Sequence, residues 1–137
     1  MGTYGVETNI INAIKDEKSL ELFNIIGGSK GHTLELDLSH ISHKGYYRRL
    51  SRLIATGLVE RERGKYALTA LGIIVHREQL ILQKAVSIYW NLKAIDAIVS
   101  SGKIEETEWV KLIKTIVDDQ EILKVILRTY KGVYVNK

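Results

Sequence analysis

Lys44, Arg48, Arg49 and Arg52 follow one another closely, interleaved with Tyr47 and Ser51 and preceded by His43. These are fixed cations and hydrogen-bond donors. Their chemistry is charge neutralisation of an acidic surface, with guanidinium forks able to bond phosphate or carboxylate through two donors at once. The cations are not spread evenly. Residues 1–42 carry three Lys/Arg against six Asp/Glu, residues 66–137 carry ten against eight, and residues 43–65 carry seven against two. Arg61, Arg63 and Lys65 complete that basic window, which holds most of the excess behind the net charge of +4. A clustered patch of this kind attracts polyanions even in a nearly balanced chain.

Other chemistries are poorly represented. The four histidines are His32, His40, His43 and His76. His40 and His43 sit three apart, with Asp37 near, but across an expected turn rather than on one helix. With no cysteine in the chain, a metal site is not expected. "GGSKG" at 27–31 has glycines and a lysine, yet a helix precedes it and the order is wrong for a phosphate loop. It reads instead as a helix end and turn. There is no Gly-x-Ser-x-Gly, no cysteine nucleophile and no catalytically spaced ligand pair. No enzyme activity, cofactor or metal is expected.

The cations must be presented by a helix. Tyr46, Leu50 and Leu53, with Ile54, form one apolar stripe, so Lys44, Gly45, Arg48, Arg49 and Arg52 point the other way and Tyr47 lies at the border. Ser42 is the expected N-cap, His43 the first residue, and Gly57 the stop. Before it, Asp16 is the expected cap of "DEKSLELFNIIGG", and "NIINAIK" a short amphipathic turn. "TLELDLSHIS" fits either strand alternation or a short helix over Leu34–Ser39. After it, "LVERE" and "KYALT" read as a hairpin joined by Arg63–Gly64. Thr69 caps a long helix running to Val99. Ser101–Gly102 breaks the chain before a helix with Trp109, Leu112, Ile113, Ile116 and Val117 on one face. Asp118 and Glu121 then form a capping box for a last helix carrying Ile122, Val125 and Ile126.

Helix, short element, helix, hairpin and long helix in that order is the winged-helix plan, which favours a helix at Leu34–Ser39. The stretch "ISHKGYYRRLSRLIATGLVERERGKYALTALG" resembles the core of small archaeal winged-helix transcriptional regulators, broadly similar to MarR- and ArsR-type domains. The likeness rests on the capped second helix, the L-x-x-L-x-x-x-G-L-V run from Leu50 to Val59 and the L-T-x-L-G close from Leu68 to Gly72. "DEKSLELFNII" and "IYWNLKAID" extend it over residues 10–99. It implies a mainly α fold with a small β-hairpin: a winged helix-turn-helix DNA-binding domain over 1–69, then a long helix and two C-terminal helices over 70–137. It implies sequence-specific binding of double-stranded DNA, with the second helix in the major groove. His43, Lys44, Tyr47, Arg48, Arg49, Ser51 and Arg52 become the contacts there, and Arg61, Arg63 and Lys65 the contacts of the wing to phosphate or the minor groove. The physics of the arginines agrees, since Arg pairs bidentately with guanine O6 and N7. The rival reading is a winged-helix protein-interaction or assembly module whose basic helix meets an acidic protein.

The long helix carries a heptad-like seam through Ile74, Ile81, Ala85, Ile88, Leu92, Ile95 and Val99. It is a groove for the last two helices of the same chain, a dimer coiled coil, or both at once, since Leu82, Val86, Tyr89 and Trp90 make the helix apolar on more than one side. Residues Ile81, Ala85, Ile88, Leu92, Ile95 and Val99 are accordingly the dimerisation candidates, and a homodimer is expected. With 137 residues, 45% of them hydrophobic and 26% charged, the chain has the composition of a globular domain. No apolar run is long enough to span a membrane, and the N-terminus lacks a secretory pattern. Residence in the cytoplasm is therefore expected.

Overall fold

The computed structural model describes residues 4–28 and 45–134. In chain order these form α1 (Tyr4–Ile14), α2 (Glu17–Gly27), α3 (Tyr46–Ala55), β1 (Val59–Glu62), β2 (Lys65–Leu68), α4 (Ala70–Ser87), α5 (Tyr89–Ser100), α6 (Glu106–Ile116) and α7 (Gln120–Tyr134). The protein is mainly helical, with one two-stranded antiparallel sheet. No described helix is long and apolar enough to cross a membrane. The Leu34–Ser39 segment lies outside the described residues, as do Ser42, His43, Lys44, His32 and His40.

Two compact units divide the chain, Met1–Glu78 and Gln79–Lys137. The boundary therefore falls inside α4, not after Thr69. The reason is local: the first turns of α4 are built into the first core. Thr69 caps the helix by accepting from the Gly72 amide at 3.0 Å, and its hydroxyl donates to the Gly57 carbonyl. Gly72 is buried, Val75 packs on the core, and the His76 ring meets Phe23 edge-on at 5.7 Å.

The first core consists of Ala13, Leu22, Phe23, Ile26, Tyr46, Leu50, Leu53, Leu58 and Val59. Asp16 caps α2 as expected, accepting from the Ser19 amide at 3.1 Å. The expected turn at "NIINAIK" is part of a full three-turn helix, α1, because Ile10, Ala13 and Ile14 find a partner face in this core. α3 starts at Tyr46, three residues later than expected. Gly45 precedes it with φ at +86°, a left-handed conformation that keeps it out of the helix. At its end, the Gly57 amide donates to the Ile54 carbonyl and the Leu58 amide to the Leu53 carbonyl. With Gly57 at φ +84°, this is a Schellman cap. The L-x-x-x-G-L pattern thus has a mechanical meaning: Leu53 and Leu58 bury together across the cap.

β1 and β2 pair with Val59 opposite Leu68, Glu60 opposite Ala67, Arg61 opposite Tyr66 and Glu62 opposite Lys65. Arg63 and Gly64 take φ values of 54° and 75°, so the two-residue turn is of the type I′ kind.

The expected single long helix is two helices. Ile88 leaves the helical region (φ −113°, ψ 31°), and the Ser87 hydroxyl donates to the Lys84 carbonyl at 2.6 Å. A serine bonding back to its own helix competes with the ladder and bends it. The second core holds Ile95, Trp109, Ile113, Val117, Ile122 and Leu123. α7 is capped by Asp119, one residue later than expected. Asp119 accepts from the amides of Glu121 and Ile122, both at 3.0 Å, and pairs with Lys84 at 3.1 Å. Those bonds hold its carboxyl below the usual range. On α7, Leu123 is buried, whereas Val125, expected together with Ile122 and Ile126, is exposed.

Candidate functional site

α3 is pinned on its inner side by Tyr46, Leu50 and Leu53, all nearly solvent-free. Burial, with Tyr66 and Tyr47 nearby, pushes the Tyr46 hydroxyl up to about 12. The opposite side carries Arg48, Ser51 and Arg52, all exposed. Because the helix begins at Tyr46, Tyr47 and Arg48 belong to its first turn and Arg52 to its last. Tyr47 is 63% exposed and stands edge-on to Tyr46 at 5.1 Å, so its hydroxyl is available to a ligand.

Arg49 is differently placed from its neighbours. Its Nε donates to the Asp16 carboxylate at 3.3 Å, and its side chain is only 19% exposed. Burial works to raise the Asp16 carboxyl, but the Ser19 amide and Arg49 outweigh it and bring it below the ordinary value. Arg49 therefore ties α3 to the cap of α2, which corrects its assignment to the outward face. Among the described residues, Arg48, Arg52, Arg63 and Lys65 form no ion pair.

On the hairpin, Arg61 shares a face with Tyr66, its guanidinium carbon 5.8 Å from the ring centroid. Lys65 and Arg63 stand at the tip and are exposed. Arg63 is the one non-glycine with positive φ among the described residues.

A further group was not legible as a site from the sequence. α1 runs beside α3 and brings Asn9, Asn12 and Lys15 around a groove shared with Arg52. The three-residue spacing of these polar side chains was the available signal, but a short turn in that place hid it.

The dimerisation candidates are brought together, though within one chain. Ile95 is buried in the second core, and Ile81, Ala85, Ile88, Leu92 and Val99 pack against it beside Trp109, Ile113 and Leu123. The seam thus serves as a groove for the chain's own last helices. Ile74, the first residue of the expected repeat, is exposed. No protein-family model, curated protein or solved structure matches this chain.

Proposed function

We propose that the chain is a winged helix-turn-helix transcriptional regulator that binds double-stranded DNA, with α3 as the recognition helix and the β1–β2 hairpin as the wing. The observation that carries this reading is the outward row of α3. Arg48 and Arg52 are exposed and have no acidic partner among the described residues, on a helix held rigidly from behind. Unpaired guanidinium groups on a rigid helix suit directed bonds to phosphate and base edges. Recognition helices contact bases mainly through their N-terminal residues. Tyr47, Arg48 and Ser51 are therefore the base-reading candidates, and Arg52, in the last turn, a phosphate contact. The wing supplies Arg63 and Lys65 to the backbone.

The test is anisotropy of a labelled random duplex at increasing salt. Affinity should fall steeply with salt, and Arg48→Ala and Arg52→Ala should each reduce the slope of log K against log salt by about one. Absence of binding by the wild-type chain at low salt overturns the proposal.

A specific observation also favours an assembly role beside DNA binding. Leu82, Val86, Tyr89 and Trp90 are all exposed, Trp90 at 78%. Apolar residues of this size in such number mark an interaction surface. A second copy of the chain fits this surface best, because one recognition helix offers few base-reading side chains and two-fold pairing doubles them.

A further inference from the structure

The α1–α3 groove has the make-up of a ligand site and shares only Arg52 with the outward row of α3. It is an open groove of about 620 Å³ lined by Val6, Asn9, Asn12, Lys15, Arg52, Ala55 and Thr56. That volume is in the range of small-molecule sites, which join apolar walls to a few convergent polar groups. Here Val6 and Ala55 supply apolar wall, Lys15, just past the end of α1, and Arg52 on α3 supply charge, and Asn9 and Asn12 supply amides that both donate and accept. Among the described residues no carboxylate lines the groove. Asp16, next along the chain from Lys15, is already held by the Ser19 amide and Arg49. Among the described residues neither Lys15 nor Arg52 has an ion-pair partner. Two like charges facing one cleft repel each other, and an anion between them removes that cost while gaining two charge-assisted bonds.

We propose that this groove binds a small organic anion, a carboxylate or phosphate ester, clamped between Lys15 and Arg52 and oriented by Asn9 and Asn12. Its acidic group lies between the two cations. Its neutral polar part meets the amides, and any apolar portion rests on Val6 and Ala55. Binding itself does not depend on the DNA reading. One consequence does: Arg52 also belongs to the outward row of α3, so an occupied groove withdraws a phosphate contact and weakens DNA binding.

The experiment is a titration of the full chain, labelled with ¹⁵N, with citrate and with adenosine monophosphate at constant ionic strength. The readouts are the side-chain amides of Asn9 and Asn12 and the Nε of Arg52. At least one probe should produce saturable shifts confined to these groups. Lys15→Gln, an exposed position, should weaken that binding about tenfold, as loss of one charge-assisted bond implies. Asn9→Leu, which keeps every charge, should weaken it as well. The proposal is overturned if neither probe gives a saturable shift, or if the shifts spread equally over Arg61, Arg63 and Lys65. It is equally overturned if both variants bind like the wild type. Adding the same probe to the duplex titration separates the consequence from the site. A chain that holds the anion and never binds DNA refutes the DNA reading and leaves the groove standing.

Discussion

A methyl group added at Gly72 has nowhere to go. It would fall well inside contact distance of the carbonyl oxygen of Leu58 and lie 3.3 Å from the Leu68 Cβ. The Leu58 carbonyl is fixed from the other side, since it accepts the Thr69 amide at 3.1 Å. The glycine closing the L-T-x-L-G motif is therefore a packing requirement between α4 and the hairpin base. Gly72→Ala should destabilise the fold by about 1–3 kcal/mol, the usual cost of overpacking, read as a lower midpoint in urea denaturation. An unchanged midpoint contradicts the close approach. Arg63 makes the opposite case. A left-handed backbone costs an ordinary residue roughly 1–2 kcal/mol, and asparagine tolerates it better. Arg63→Asn should therefore raise stability by about 0.5–1 kcal/mol while lowering affinity for duplex DNA at low salt. Retaining a strained arginine at an exposed tip makes sense if its charge is used there. A variant that gains stability and keeps full DNA affinity removes that reason.

α3 and α2 are joined at the point where their sequence signals were least alike. Asp16 was readable as a cap because Asp before an apolar-patterned helix has one dominant local use. Arg49 was not readable as its partner, because helical spacing places it at the margin of the stripe and nothing local says which margin is covered. The two arginine roles separate in measurement. Arg49→Met should lower stability by about 1 kcal/mol or less, as for a partly exposed pair, with little effect on the salt slope of DNA binding; Arg48→Ala should do the reverse. Equal effects of both on DNA binding would return Arg49 to the outward face. The hairpin, the Thr69 cap and the Gly57 stop were likewise legible, each being a short-range signal. The break at Ile88 and the shift of the α7 cap from Asp118 to Asp119 were not. Nothing in the pattern says that Ser87 bonds back to the Lys84 carbonyl rather than facing water, and the cap is fixed in part by a contact far along the chain, Lys84 with Asp119. α4 meets α2 through His76, whose ring packs on Gly27 and Phe23. Burial lowers its pKa from 6.5. The unfolded chain therefore binds more protons between the folded value and 6.5, so this contribution to stability is complete above pH 6.5 and is lost as pH falls below it. Asp16 and Asp119, both lowered from 3.8, lose theirs only below that value. Urea midpoints should thus fall between about pH 7 and about pH 5, and His76→Gln should flatten that stretch alone. A slope unchanged in the variant assigns the effect elsewhere.

Each of the two compact units has its own apolar core, and the two differ in what they leave uncovered. Met1–Glu78 exposes unpaired cations on α3 and the hairpin, whereas Gln79–Lys137 exposes Leu82, Val86, Tyr89 and Trp90. A helix apolar on more than one side is normally buried on more than one side. On the other side Ile95 is buried and Ile81, Ala85, Ile88 and Leu92 are partly buried against the second core, so much of the seam read from the heptads is engaged within the chain. The proposed pairing therefore uses the exposed apolar residues at the junction, Leu82 and Val86 on α4 and Tyr89 and Trp90 at the start of α5. This changes which substitution tests the dimer. Ile88→Asp puts a charge at a partly buried position packed on the second core and should lower stability, so it reports on folding as well as on assembly. Trp90→Asp places a charge at an exposed position and should leave the circular dichroism spectrum and urea midpoint of the monomer intact. By sedimentation velocity the wild-type chain should run as a dimer and Trp90→Asp as a folded monomer, with the loss of the second half-site showing as weaker DNA binding. A wild-type monomer at high protein concentration sinks the pairing, and a dimer that survives Trp90→Asp moves it to another surface.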